Sequence, residues 1–488
     1  GQSPGHTACD QNTLITCGPD LLTVVQTICC GACASGACVA PRCGDGKVEA
    51  PEACDDGNLA PGDGCDPNCQ PTKVLQLAAG RAHTCALLSG GYVRCWGANE
   101  QGQLGLGDTT DRTAQQPYQN GLVSLGGPAA FIATGADHTC ALMADGSLRC
   151  WGANSHGQLG LGNTDALGDN EAPSSSGPIA LGLTVTAVSA GGDDTCAILA
   201  DRTVRCWGNN NYGQLGLGNT ADVGDNELPT QAASQVTLGG DAVLVTTGGN
   251  FACAILAGRL TGRCWGQNGL GQLGLGVTQN IGDDELPTAI APFVFPTNTV
   301  DPTFFEVTSI SSGSTRTIAF MAKAGENFCW GDNSDGGLGI EEVGDDPYTK
   351  ATGWGAFDWP APALSAVAGG LHMCINLANN DLRCWGINQK GQLGLPNTDT
   401  LGDNEAADGV AAIDLGIGAD GFASYAVSMT AGAAHTCAIL GDGRVLCWGA
   451  NESGQLGLGY VSSPPVDYVG GTPATIPAML PTLKVLGP

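Results

Sequence analysis

His83-Thr-Cys-Ala-Leu-Leu88, followed by Arg94-Cys-Trp-Gly-Ala-Asn-Glu-Gln-Gly-Gln-Leu-Gly-Leu-Gly107, is the stretch of this 488-residue chain that decides its fold, because it returns six more times. Its Trp-Gly step stands at Trp96, Trp151, Trp207, Trp265, Trp330, Trp385 and Trp448, so seven of the nine tryptophans are one repeated position. The steps between them are 55, 56, 58, 65, 55 and 63 residues. Residues 73 to 488 shared among seven units give about 59 residues each, a size suited to one four-stranded propeller blade and not to a helical solenoid. Val185-Thr-Ala-Val-Ser-Ala-Gly191 alternates like an inner strand. The glycines after Trp-Gly permit tight positive-φ turns, while the two leucines can face the cores between blades. The reading is all-β: a seven-bladed β-propeller preceded by a small disulfide-rich head. The terminal stretch Pro481–Pro488 reads as a strand that shares a blade with Lys73–Gly80.

Working outward, the cysteines set the compartment. Cys85/Cys95, Cys140/Cys150, Cys196/Cys206, Cys374/Cys384 and Cys437/Cys447 are ten apart and Cys253/Cys264 eleven apart, each pair bracketing a turn-like tip. Folding at that tip puts the two cysteines on adjacent strands within disulfide reach. Six staples are therefore predicted, with Cys329 left over because Ile318 stands where its partner would be. Twenty-three cysteines, mostly paired, belong to an oxidising compartment, and the predicted localisation is secreted or cell surface. The chain opens on neither a charged nor an apolar leader, so any export signal is expected to have been removed or to lie outside this sequence.

The balance of 18 basic to 47 acidic residues, a net charge of −29, opposes nucleic acid and anionic membrane as partners. No run of about 18 apolar residues is present to span a bilayer.

The repeated unit resembles that of the RCC1 family of seven-bladed propellers, over residues 73 to 488. The resemblance implies the propeller fold and a role in protein recognition. The paired cysteines and acidic surface set this chain apart from the intracellular members, resemble exported bacterial ones, and argue against nucleotide exchange on a nuclear GTPase. Before the propeller, residues 1–42 form a six-cysteine segment (Cys9, Cys17, Cys29, Cys30, Cys33, Cys38). Residues 43–70 carry Cys43, Cys54, Cys65 and Cys69 and resemble the short cysteine-rich repeat of myxobacterial surface proteins. Even counts favour closed disulfide sets of undetermined connectivity. The propeller domain is placed at 71–488.

Chemistry is sought first in acidic inserts after the Leu-Gly-Leu-Gly turn: Asp169-Asn170-Glu171, Asp225-Asn226-Glu227, Asp283-Asp284-Glu285, Asp345-Asp346 and Asp403-Asn404-Glu405. Their oxygens suit calcium, which takes six to eight hard ligands. The same residues also form ion-free Asx turns. The head's Asp55-Asp56-Gly-Asn58 and Asp63 invite the same idea. His83, His138, His372 and His435 share one repeat position, with Asp194, Phe251 and Arg316 at the others. Those substitutions break any ring of imidazoles, so the position is read as structural, bonding to the next blade. Trp354, Phe357 and Trp359 lie in an aromatic-rich insert and are the candidate partner contacts, the alternative being that such inserts fold back and bury their own rings. The single N-glycosylation sequon is Asn451-Glu-Ser453.

No Ser/His/Asp order, carboxylate pair or phosphate-cradling loop stands out, so the chain is read as a binding or structural protein and not an enzyme. Its expected partner is a protein or cell-surface polymer, self-assembly included. A secreted enzyme inhibitor and an extracellular polymer-acting enzyme are the alternatives.

Overall fold

The computed structural model describes residues 52–486 except 233, 296–305, 322–325, 340–356, 358, 419 and 462–467; before residue 52 it describes 44, 46–48 and the strand backbones of 7–10, 13–17, 24–28, 32–34 and 37–39. The chain divides into two compact units. One comprises Gly1–Lys73, Leu88–Tyr92 and Leu486–Pro488; the other comprises Val74–Leu87 and Val93–Val485. Among the described residues, helix is confined to single 3-10 turns.

In the first unit, Thr7–Asp10, Thr13–Cys17 and Val24–Ile28 form an antiparallel sheet, and Ala32–Ala34 pairs with Ala37–Val39. Cys54 is bonded to Cys65. The Asp55 carboxylate accepts from the backbone N–H groups of Gly44, Gly46 and Gly57, and Asp56 accepts from those of Asn58 and Cys65. These carboxylates are engaged in turning the chain.

The second unit is seven antiparallel sheets in sequence order. Blade one is Val74–Ala79, His83–Leu88 and Val93–Gly97; blade two is Ala129–Thr134, His138–Met143 and Leu148–Gly152. Blade three is Val185–Ala190, Asp194–Leu199 and Val204–Gly208, edged by Gln235–Val236. Blade four is Ala242–Thr247, Phe251–Leu256 and Thr261–Gly266, edged by Phe293–Val294. Blade five is Ser309–Ser312, Arg316–Met321 and Glu326–Gly331; blade six is Ala363–Ala368, His372–Leu377 and Leu382–Gly386. Blade seven is Ala426–Ala431, His435–Leu440 and Val445–Ala450, with Tyr468–Val469.

Each middle strand is buried along its whole length, since both of its faces lie against neighbouring blades. That is why it reads His-Thr-Cys-Ala-Ile/Leu-Leu and does not alternate. All seven repeat tryptophans are fully buried, and truncating such a ring costs about 3–5 kcal/mol.

The six expected cysteine pairs stand directly opposite each other in register, each joining the middle strand to the next. Cys85 is bonded to Cys95, Cys140 to Cys150 and Cys196 to Cys206. Cys253 is bonded to Cys264, Cys374 to Cys384 and Cys437 to Cys447, and in all six the Cα atoms are 4.0 to 4.1 Å apart. All twelve are buried in the cores between blades, so they staple hairpins and form no part of a surface site. Cys329 faces Ile318 and is free, its thiol pushed up to about 12 by burial.

The wheel closes differently from the expectation. Leu483 N–H bonds to Val445 O on the outer strand of blade seven, as Val123 does to Val93 in blade one and Ile413 to Leu382 in blade six. The terminal stretch is therefore the edge of blade seven, and blade one is built from its own residues. Closure comes instead from a cycle of backbone bonds around the axis. Arg81 N–H donates to Ala136 O, Ala136 to Gly191, Gly192 to Gly248, Gly249 to Ser314, Ser314 to Gly370, Gly370 to Gly432, and Ala433 back to Gly80. This close approach requires glycine at 80, 135, 191, 248, 313, 369 and 432. A Cβ at any of them would lie 1.9 to 2.7 Å from the next blade's glycine carbonyl. The ring is glycine for want of space and not for positive φ.

A candidate interaction face around the propeller axis

The turns after these glycines and the loops after each Trp-Gly emerge at the same end of every blade and make one face. Each loop is held by a buried asparagine. Its Oδ1 accepts the N–H of the leucine five residues on, from Asn99–Leu104 through Asn451–Leu456, in all seven units. Asn451 is fully buried and its Nδ2 donates to Tyr460 O, which closes the sequon to an oligosaccharide in the folded chain. In six loops a glutamine Oε1 also takes the N–H two residues earlier: those of Gln101, His156, Tyr212, Leu270, Lys390 and Ser453. In blade five that glutamine is Gly337, whose own N–H is taken by Asp335.

A constant frame thus presents seven different side chains at one geometric position: Gln101, His156, Tyr212, Leu270, Asp335, Lys390 and Ser453, all exposed or half-buried. Three are paired. His156 Nδ1 is 2.8 Å from Asp222, Asp335 is 2.5 Å from Arg316, and Lys390 meets Glu452.

Beneath the tips runs a relay between blades. His83 Nε2 is 3.0 Å from Thr139 Oγ1, His138 is 2.9 Å from Thr195, His372 is 2.8 Å from Thr436, and His435 is 3.0 Å from Thr84. Each of these threonines donates its single proton to the carbonyl of Gln103, Gln158, Gln392 or Gln455. Its oxygen must then accept, so Nε2 carries the imidazole proton and Nδ1 is a bare acceptor. Burial supports the neutral ring, holding His83 and His372 down to about 3 and His138 and His435 to about 4. The tryptophan N–H of the next blade shares that carbonyl in these four units; Trp265 and Trp385 take the equivalent carbonyls of Gln214 and Gly337 without a threonine, and Trp330 finds no acceptor among the described residues. The histidine position is therefore structural, as expected, with the contact made to a threonine hydroxyl that passes it to backbone.

The relay stops where histidine is replaced. Asp194 is fully buried with neither oxygen partnered among the described residues, burial raises it well above the ordinary carboxylate range, and the residue due to answer it is Ala252. The residue due to answer Phe251 is Thr317, whose hydroxyl pairs with Ser312 instead. Arg316 fills the room left by Gly337, donates to Asp332 O and pairs with Asp335; opposite it stands Met373.

The acidic inserts lie on the seams between blades. Gly168, Gly224 and Gly282 each accept, through their carbonyls, the N–H of Gly107, Gly162 and Gly218 of the preceding blade. Asp169, Asp225, Asp283 and Asp403 pass so close to the preceding tips that Gly102, Gly157, Gly213 and Gly336 admit no Cβ. Among the described residues, only Asp283, Asp284 and Glu285 bring three carboxylates within 4.8 Å, and burial together with the two aspartates raises Glu285. Asn170, Asn226 and Asn404 leave the other loops with two carboxylates apiece, at Asp169 and Glu171, Asp225 and Glu227, and Asp403 and Glu405. Asp345 and Asp346 lie outside the described residues.

Trp354 also lies outside them. Phe357 and Trp359 are half-buried and pack on Trp385 at 6.0 and 5.7 Å, while Trp359 Nε1 donates to Asn327. They are not the free anchors expected, because stacking on Trp385 removes part of both rings from water.

At the axis the seven turns surround a shallow mouth of about 190 Å³ lined by glycine, alanine, serine and threonine, with Arg81 the charged side chain at its rim. That is below the roughly 300–1,000 Å³ of a drug-sized ligand site. Arg81 pairs across the seam with Asp137, which burial raises. The glycine cycle and the relay were both missed from sequence. The available signals were a glycine 16 or 17 residues before every repeat tryptophan, and the joint loss of histidine and threonine at Asp194/Ala252 and Arg316/Met373.

Comparison with known proteins agrees with this architecture. The family model of the RCC1-like domain matches residues 5–356, and models of the RCC1 repeat match 426–455 and 442–482. The ultraviolet-B receptor UVR8 of Arabidopsis thaliana is 30% identical over 399 residues, 80% of each chain. The RCC1-like G exchanging factor-like protein of Mus musculus is 31% identical over 277 residues, 57% of each. Human WBSCR16 superposes with a TM-score of 0.58 at 19% identity, covering 75% of this chain and 90% of that one. Yeast RCC1 (Prp20), solved with Kap60, gives 0.60 at 20%, covering 82% and 84%; at such identities both speak to the fold. On the family model and the 30% relative together, the chain belongs to the RCC1-like domain family.

Proposed function

We propose that this chain is an exported protein-binding member of its family, presenting the loop face to a protein partner. The observation that carries the reading is the tip position. Seven unlike side chains, from Tyr212 and Leu270 to Asp335 and Lys390, stand beside an equally varied exposed neighbour, from Glu100 to Glu452, on a recurring frame of asparagine, glycine and leucine. Uniform packing needs no such diversity; a surface shaped to one partner does. The solution of yeast RCC1 bound to Kap60 supports the use of such a propeller in protein binding. Seven disulfides among the described residues support the oxidising compartment. Calcium belongs to the same proposal at Asp283, Asp284 and Glu285, where it would stiffen the seam between blades three and four.

A photo-crosslinking residue placed at Tyr212 or Leu270, and separately at Asp201 on a hairpin tip at the opposite end of the blades, tests the assignment. The loop-face positions are expected to capture one protein from the native extracellular medium at fixed stoichiometry, and position 201 not to capture that protein. Equal capture from both ends would refute it.

A further inference from the structure

Blade seven carries a device that blades two to four lack. Three residues separate Leu125, Leu181 and Leu238 from the inner strands at Ala129, Val185 and Ala242, whereas ten separate Leu415 from Ala426. The described ones among the extra residues, 416–418 and 420–425, build a small hairpin. Ile417 bridges to Ala423, Gly418 N–H donates to Phe422 O, Gly421 to Gly418, and Ser424 to Gly416. Arg444 braces it, donating to Ile417 O at 3.4 Å and to Ser424 Oγ at 2.5 Å. On this support Ile417 is 70% exposed and Phe422 73%, the two most exposed large apolar side chains among the described residues. A folded chain that spends main-chain bonds to hold two apolar groups in water is presenting them.

Beside Phe422 lies a notch of about 140 Å³, lined in part by Tyr425, Asp420 and Asp442. It is too small for a drug-sized molecule and has room for one side chain. A Cβ at Gly418 would lie 2.8 Å from Asp420 Oδ1 and 3.4 Å from Asp442 Oδ2, so the two carboxylates face each other across that glycine. Asp442 shares its charge with Arg444 at 2.6 Å, while Asp420, among the described residues, accepts only the Phe422 N–H. Two aromatic rings with an unneutralised carboxylate form the surroundings that a cation seeks.

We infer that the blade-seven hairpin docks a partner protein by receiving a lysine or arginine side chain in the notch while Phe422 and Ile417 enter an apolar socket beside it. Charge selects this occupant. A second copy of a chain with net charge −29 brings the same carboxylates and few cations to meet them, and nucleic acid or an anionic bilayer is repelled outright. The surface lies at the end of the blades opposite the loop face, and it stands whether or not that face binds.

The test is selection of a displayed random-heptapeptide library on the disulfide-intact full chain, with affinities of the recovered peptides measured against variants. Phe422→Ala, Ile417→Ala and Asp420→Asn alter exposed side chains and leave the unfolding midpoint in place; Tyr212→Ala serves as the loop-face control. Expected are sequences pairing Lys or Arg with a bulky apolar residue, weakened at least five-fold by each hairpin variant and by added salt, and unaffected by Tyr212→Ala. Recovery of no such sequences, or of binders indifferent to Phe422→Ala and Asp420→Asn, overturns the inference. So does concentration-dependent dimerisation in sedimentation that Phe422→Ala abolishes, which would make the occupant a second copy.

Discussion

The propeller has two unlike halves. From blade six through seven, one and two into three, every seam carries a buried histidine, the answering threonine and a tryptophan sharing one carbonyl. From blade three to six, the histidine gives way to Asp194, Phe251 and Arg316, Trp330 lacks an acceptor among the described residues, and blade five lacks its staple. Both halves keep the glycine cycle around the axis. Closure is thus indifferent to the relay, whereas the strength of each seam is set locally. Long repeat steps occur in both halves, 65 residues from Trp265 to Trp330 and 63 from Trp385 to Trp448, so insertion length does not follow the relay.

Acid should separate the halves most. Unfolded, the four relay histidines titrate near the ordinary value; folded, they stay neutral to about 3 or 4. The unfolded chain then binds more protons, so their stabilising contribution is complete above about pH 6.5 and declines below it by about 1.4 kcal/mol per pH unit for each histidine. Denaturant midpoints measured between pH 7 and 4.5 should fall steeply, and His138→Gln should flatten the slope by about one proton. An identical slope in that variant would contradict the assignment. Next in size is the glycine cycle common to both halves. Gly135→Ala puts a Cβ 2.5 Å from Gly191 O and 2.1 Å from the His138 ring. It is expected to cost about 3 kcal/mol or more in urea unfolding, as overpacking against backbone does. Gly177→Ala, with open space around it, is the neutral control.

Repair of the irregular half gives smaller effects of the opposite sign. Ile318→Cys stands directly opposite Cys329 and should close the missing staple, in the register that Cys140 and Cys150 occupy in blade two. The free-thiol titre would drop by one, with a gain of about 2 kcal/mol, partly offset by the lost isoleucine packing. Asp194→His combined with Ala252→Thr should extend the relay across the seam between blades three and four. A gain of about 1 kcal/mol is expected, since burial disfavours the charged form of the unpartnered wild-type aspartate. The pair should exceed the sum of its single changes in a double-mutant cycle. Calcium is the mildest probe. At three times its dissociation constant it would add about 0.8 kcal/mol by mass action, an effect that Asp284→Asn should erase. A thermal midpoint equal in calcium and in EDTA would remove the ion from that seam.

Much of the fold was legible because its determinants are periodic. Trp96 and its six equivalents, the paired cysteines from Cys85–Cys95 to Cys437–Cys447, and the Leu-Gly-Leu-Gly loops recur at fixed offsets, and a period is visible in one dimension. Cys329 was legible for the same reason, as a break in the period. The terminal stretch was misread because Pro481–Pro488 resembles a strand locally, while its pairing with Val445 is a choice between edges that no local pattern records. Phe357 and Trp359 were left open between anchor and packing because hydrophobic composition does not say whether a ring turns outward or onto Trp385.

Residue type and spacing by themselves determined the number of blades, their sulfur bridges and the excess of negative charge, since each depends on neighbours along the chain or on a count. Only tertiary structure decided that the axis closes through glycine carbonyls, that a histidine in one blade is answered by a threonine in the next, and that Ile417 and Phe422 face water. Those outcomes depend on which surfaces meet across more than fifty residues of intervening chain, and there distance and desolvation, not adjacency, assign each group its partner.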